Sequence, residues 1–240
     1  MPPRIRLGTA FCCCLFASGA VYAHKPGEGL WKGSVELGWT ANAGNVTNES
    51  VHWRLALSHE GKKWVQTLDA NGIRTLQAQQ TVNERYAADI KNEYRLKVFN
   101  YLYVSLGFET DVFSGVRRRY FQNLGIGRRL IKSDTLVFDV ESGLGARQTR
   151  SVAGTDQYEP TLKLAMDLHW HITKDLFLEQ ELTTEVGRDT TLTRSKSELK
   201  TQVTEHVGLS LAYRYAHTSR PEIGIKPTDT ETALAFTYEF

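Results

Sequence analysis

From Trp31 onward apolar and polar residues alternate with a period of two, and turn residues interrupt the rhythm at fairly regular intervals. Trp31, Gly33, Val35, Leu37 and Trp39 share one face of the first segment, and Lys32, Ser34, Glu36, Gly38 and Thr40 share the other. A strand produces this pattern because successive side chains point to opposite sides of the sheet. After a turn signal at Ala41–Asn45, Val51, Trp53, Leu55 and Leu57 alternate with His52, Arg54, Ala56 and Ser58. Tyr86, Ala88, Ile90, Tyr94 and Leu96 alternate with Arg85, Asp89, Lys91, Glu93 and Arg95, and Leu102–Phe108 repeats the pattern. So do Leu136–Arg147, Leu162–Trp170 and Leu176–Val186. The segments number about twelve, an even count as expected of a bacterial barrel with both ends at one rim. They are least distinct at Gln66–Thr75, Arg119–Gln122 and Leu192–Gln202, where polar residues occupy both faces. Lys97–Asn100, Ile131–Asp134, Ile172–Asp175 and Thr204–His206 read as tight turns on one side. Gln77–Thr81, Val152–Gln157 and Ser219–Thr228 read as modest loops on the other.

Alternation alone does not say which face looks inward, since a soluble barrel alternates too. Two observations turn the apolar face outward, to lipid. Trp31, Trp64, Trp170 and Phe240 fall at one rim of an up-and-down meander, and Trp39, Tyr86, Tyr158, Tyr213 and Tyr215 collect toward the other. Aromatic girdles on either side of an aliphatic band suit the two lipid–water interfaces. The opposite face is also too charged for a closed core. Arg85, Asp89, Lys91, Glu93, Arg95, Asp139, Glu141, Arg147, Glu179 and Glu181 fit a lumen in which acids and bases pair and meet water. The expected fold is therefore all-β, a transmembrane up-and-down antiparallel β-barrel of about twelve strands, closed because backbone groups in lipid must bond internally.

Composition permits this reading: 41% hydrophobic residues and a mean hydropathy of −0.37 leave no apolar run long enough for a spanning helix. The N-terminus adds a compartment. Arg4 and Arg6 precede a short apolar stretch from Leu7 to Phe16, then small residues up to Ala23, the order of a secretory signal peptide. Residues 1–23 are thus expected to be removed and 24–240 to form the barrel. Cys12, Cys13 and Cys14 all lie in the leader, so the mature chain offers no disulfide or thiol chemistry. Losing Arg4 and Arg6 also takes the 29 basic residues to 27, equal to the 27 acids, which removes any charge argument for nucleic acid.

The segments WKGSVELGWTANAGNVTN (Trp31–Asn48), GFETDVFSGVRRRYFQNLGIGRRL (Gly107–Leu130) and TDTETALAFTYEF (Thr228–Phe240) resemble the YdiY-like salt-induced outer-membrane-protein family, a family without an assigned activity. The resemblance covers essentially the whole mature chain and implies a barrel in the outer membrane, with a link to salt or envelope stress. The ending, with Phe236, Tyr238 and terminal Phe240 in alternation, is similar to the signal read by the barrel-assembly machinery, which the resemblance implies as a partner.

Catalytic chemistry finds little support. His52 with Ser50, and His217 with Ser219, lack a surrounding nucleophile motif. His169 and His171 have a spacing that could ligate metal but read better as rim or lumen residues. No catalytic, cofactor or metal residues are assigned. Arg117, Arg118 and Arg119 form a basic run near the outside edge, suited to lipopolysaccharide phosphates or simply to solvent. The expected function is a non-enzymatic outer-membrane barrel, serving the envelope or as a narrow channel. The alternative is a barrel enzyme acting on lipid or lipopolysaccharide. Whether the lumen is open or plugged, and the oligomeric state, stay open at this level.

Overall fold

The computed structural model describes residues 31–42 and 48–240, so the leader and most of the Ala41–Asn45 turn lie outside the described residues. Twelve strands follow one another: β1 (Trp31–Asn42), β2 (Asn48–Glu60), β3 (Trp64–Gln77), β4 (Gln80–Arg95), β5 (Asn100–Asp111) and β6 (Val116–Lys132) make the first half. β7 (Leu136–Ser151), β8 (Asp156–His171), β9 (Leu176–Gly187), β10 (Thr191–Gln202), β11 (Val207–Thr218) and β12 (Thr228–Glu239) make the second. Each pairs antiparallel with its sequence neighbours, and β12 returns to β1, so the sheet closes on itself. Along its paired length, closure removes the open edges that lipid does not tolerate.

The barrel is inside-out relative to a soluble one. Leu144 is 72% exposed on the exterior, whereas Glu198 and Arg147, on the opposite parity, are 0% and 2% exposed in the interior. Trp31, Trp64, Trp170 and Phe240 do lie at one rim, here called the proximal rim, and the other is called distal. The girdle rings meet in tilted cross-strand pairs, Trp31 with His59 at 5.2 Å and Trp64 with Tyr94 at 4.9 Å between centroids.

The three indistinct segments are all strands, within β3, β6 and β10, and their exterior polar residues explain the blurred pattern. Gln66 faces Asn92 across β3 and β4, while Ser195 and Ser197 of β10 meet Gln180 of β9. One connection is tighter than its sequence suggests. Gln77 pairs directly with Gln80, leaving a two-residue turn in which Ala78 (φ 48°) and Gln79 (φ 67°) are both left-handed. That geometry matches the twist of the flanking strands and is reached here without the usual Asn-Gly.

The β1–β12 seam is short. Gly33 and Phe240 exchange two backbone hydrogen bonds of 2.9 Å, and the ladder continues through Ser34–Leu37 against Glu239–Phe236. Above that level the described residues of the two strands show no further pairing.

Candidate functional site: a charged lumen bridged between walls

The inward parity of every strand delivers charged side chains to the lumen, and ion pairs link walls that are distant in the barrel. In the middle of the lumen Arg54 of β2 lies 2.6 Å from Asp69 of β3, 3.5 Å from Glu36 of β1, 3.2 Å from Glu198 of β10 and 3.9 Å from Glu181 of β9. Lys196 (2.5 Å) and Lys200 (3.7 Å) complete the shell around the fully buried Glu198, and Lys200 also reaches Glu179 at 3.2 Å.

β2 and β9 are five strands apart around a ring of twelve. A circular twelve-stranded barrel, with strands about 4.8 Å apart and tilted about 40°, would be roughly 24 Å across. An arginine and a glutamate in contact span at most roughly 16 Å between their Cα atoms. The lumen is therefore oval, pinched where Arg54 meets β9 and β10. Nearer the distal rim the same bridging recurs. Glu109 of β5 lies 2.6 Å from Arg194 of β10 and 3.4 Å from Arg119, while Arg85 of β4 reaches Glu231 of β12 at 2.9 Å.

A second cluster lines the wall made by β4 to β8. Lys91 contacts Glu141 and lies 2.9 Å from Glu93, and Lys163 stands 3.8 Å from Glu141. Tyr101 donates its hydroxyl hydrogen to Glu141 Oε1 at 2.9 Å. Lys91 Nζ sits over the rings of Tyr101 and Tyr103, at 5.6 and 5.3 Å, and Lys163 over Tyr103 at 5.1 Å. The tyrosines can lie flat on the wall because the strands beneath are glycines there. A Cβ on Gly125 would come within 2.7 Å of the Tyr103 ring, and one on Gly127 would collide with Tyr101.

The sequence-predicted network is thus assembled in one compartment. Asp139 pairs with Arg129 at 2.9 Å, Arg95 with Glu60 at 2.5 Å, and Arg147 with Glu159. Asp89 lines the same cavity, and no ion pair to it is found among the described residues. Sequence reasoning missed Arg54, Glu36, Glu109, Arg194, Glu198, Glu231 and Arg214, which lies 2.6 Å from Glu231, as members. Their inward parity was readable; their partners, on strands remote in sequence, were not.

The basic run divides. Arg119 turns inward and is 8% exposed, bonded to Thr149 Oγ1 at 3.2 Å, which removes it from any surface facing lipopolysaccharide. A ladder shift between Val116 and Arg118 sets the exposed Arg117 and Arg118 on the outer surface, where Arg118 pairs directly with Arg150 of β7. The serine–histidine candidates do not converge. Ser50 bonds to Thr75 at 3.0 Å, His217 bonds to Thr228 Oγ1 at 2.9 Å, and the Ser219 hydroxyl accepts from the Thr191 amide. His169 meets Glu179 at 3.8 Å, whereas His171 packs edge-on against Phe177, so the two histidines serve different neighbours.

Around these bridges the lumen retains a cavity of about 1730 Å³. Its lining runs from Lys32, Glu60 and Lys132 at the proximal rim to Ser114, Thr218 and Lys226 at the distal rim. The arrangement offers a lumen space whose walls carry charges of both signs.

Among solved structures the chain is similar to an outer membrane channel from Pseudomonas putida F1, with a TM-score of 0.53, 11% identity, and coverage of 93% of this chain and 100% of that one. It is similar also to the NanC porin, with a TM-score of 0.52, 11% identity, and coverage of 86% and 98%. At that identity the likeness establishes the shared barrel fold. Among curated proteins it is 27% identical over 217 residues to the uncharacterized protein YdiY of Escherichia coli (strain K12), covering 90% of this chain and 84% of that protein. Residues 35–240 match the model of the family described as "Protein of unknown function, DUF481", and the chain belongs to that family.

Proposed function

We propose that this chain is an outer-membrane barrel that gives small polar solutes a narrow aqueous path, with the proximal rim in the periplasm and no covalent chemistry of its own. The observation that carries this reading is the lumen cavity of about 1730 Å³, whose lining includes residues of both rims. Divided by a barrel height of roughly 35 Å, from strands rising about 3.3 Å per residue at a tilt near 40°, it corresponds to a mean width on the order of 8 Å, narrower where Arg54 bridges the walls. The paired charges favour solutes that exchange hydration for hydrogen bonds with both signs, and disfavour bulky apolar ones. The folds of a porin and an outer membrane channel lend support at the level of architecture. The signal-peptide pattern and the aromatic C-terminal strand support export and insertion by the assembly machinery. Outer-leaflet lipopolysaccharide is the proposed lipid partner, through Arg117, Arg118 and Arg150. A role in salt or osmotic stress rests on the family resemblance.

Liposome swelling tests the proposal. Proteoliposomes should swell in monosaccharides and amino acids, and several-fold more slowly in oligosaccharides wider than the mean lumen width. Swelling no faster than in liposomes holding heat-unfolded protein would contradict it.

A further inference from the structure

The exterior of the barrel is not uniformly apolar. On β5 to β8 it is mainly aliphatic, including the exposed Leu106, Ile126, Leu144 and Leu164, with Gln122 and Ser142 as isolated polar positions. On β9 and β10 it presents hydroxyls and an amide at the middle of the strands. Gln180 is flanked on its own face by Leu178 and Leu182 and pairs with Leu168 of β8, so it lies within the aliphatic band and not in a girdle. Across β10 it meets Ser197, and Leu182 meets Ser195. Gln180 Nε2 donates to Ser195 Oγ at 2.9 Å and to the Glu181 carbonyl at 3.1 Å, and Ser197 Oγ donates to Gln180 Oε1. Beyond them Thr184 and Thr193 share a 3.3 Å hydrogen bond on the same face. Polar groups turned toward hydrocarbon are costly, and their bonds among the described residues leave capacity unused: the Ser195 hydroxyl hydrogen and one lone pair of Gln180 Oε1.

We propose that this wall is the contact face of a homodimer, with its twofold axis along the membrane normal and strand β10 of each copy at the centre. Several features select a second copy as the occupant. Two chains inserted in the same direction present these residues at the same depth, which a twofold along the normal requires. The free hydrogen of Ser195 in one copy then matches the free lone pair of Gln180 in the other, and the same bond is made in reverse, as an isologous interface demands. The central groups carry no charge, so like surfaces do not repel. Serine and threonine are short, which lets two sheets approach closely, as small and polar residues do where membrane-spanning elements pack together. A partner of different sequence would have to supply the same polar pattern at the same depth.

The barrel carries no cysteine between residues 31 and 240, so a single thiol reports one place. Ser197→Cys, oxidised in isolated outer membranes, should yield a cross-linked species of twice the chain mass. Ile90→Cys, on the exterior of β4 six strands away, should yield none. Sedimentation in detergent should give a dimer, and Gln180→Leu combined with Ser195→Ala should raise its dissociation constant roughly tenfold, with heat-modifiable migration confirming a folded barrel. A monomeric wild-type chain, equal cross-linking from both positions, an adduct of any other mass, or a folded double variant that dimerises like wild type would each overturn the proposal.

Discussion

At the scale of single residues, Arg54 holds the lumen's pinch. Its guanidinium sits among Asp69, Glu36, Glu198 and Glu181, with distances from 2.6 to 3.9 Å. Removing it as Arg54→Ala takes away the cross-lumen reach but leaves Lys196 and Lys200 to hold Glu198. The expected loss of stability is about 1–3 kcal/mol, less than for a dry ion pair because water reaches this lumen. A urea titration followed by migration of the folded band measures it. The same variant should widen the pinch and leave it net acidic, so permeation should shift toward cations, read as a reversal potential under a salt gradient. Outside the barrel, Arg118 and Arg150 stand directly opposite each other, a like-charged pair that costs energy unless an anion lies between them. Arg150 also has Asp156 at 3.7 Å, which offsets only part of that repulsion. Replacing Arg117, Arg118 and Arg150 by glutamine should weaken lipopolysaccharide binding in a titration, whereas Arg119→Gln, buried inside, should not. Equal effects from both would remove the lipid-headgroup reading.

At the scale of strands and turns, the β3–β4 hairpin places Ala78 and Gln79 in left-handed conformations that side chains resist. Ala78→Asn with Gln79→Gly should stabilise the barrel by about 0.5–1 kcal/mol, read as a raised urea midpoint. This turn also shows where sequence reasoning ends. The strand at Trp31–Trp39 was legible because strict alternation has one structural meaning, and the same holds for β4, β5, β7 and β8. β10 was blurred because the periodicity test assumes an apolar exterior, and Ser195 and Ser197 break that assumption while bonding to Gln180. The inward position of Arg85 or Glu141 followed from parity alone. That Arg85 would meet Glu231, or Glu109 meet Arg194, depends on how the oval section brings remote walls together, and no local pattern encodes it. Likewise three adjacent arginines suggested one surface, but a shift in the ladder and the pleat sent Arg119 inward.

At the scale of the whole molecule, closure depends on few contacts. Among the described residues the seam joins β1 and β12 only between Gly33 and Leu37, and Phe240 supplies two of its backbone hydrogen bonds. The Phe240 ring also covers Gly33 so closely that a Cβ there would fall within 2.6 Å of it. Deleting Phe240 should therefore cost about 2–3 kcal/mol through lost hydrogen bonds and ring burial, visible as a lowered urea midpoint of chains already folded in detergent. A midpoint equal to wild type would mean that the seam is held elsewhere. The oval, charge-bridged lumen is the other global feature, and the account turns on whether ions can cross it. Single-channel recording of refolded residues 24–240 in a planar bilayer asks this most directly. Reproducible unitary steps are predicted, larger for Arg54→Ala than for the wild-type chain. Silent membranes that demonstrably contain folded protein would contradict the channel.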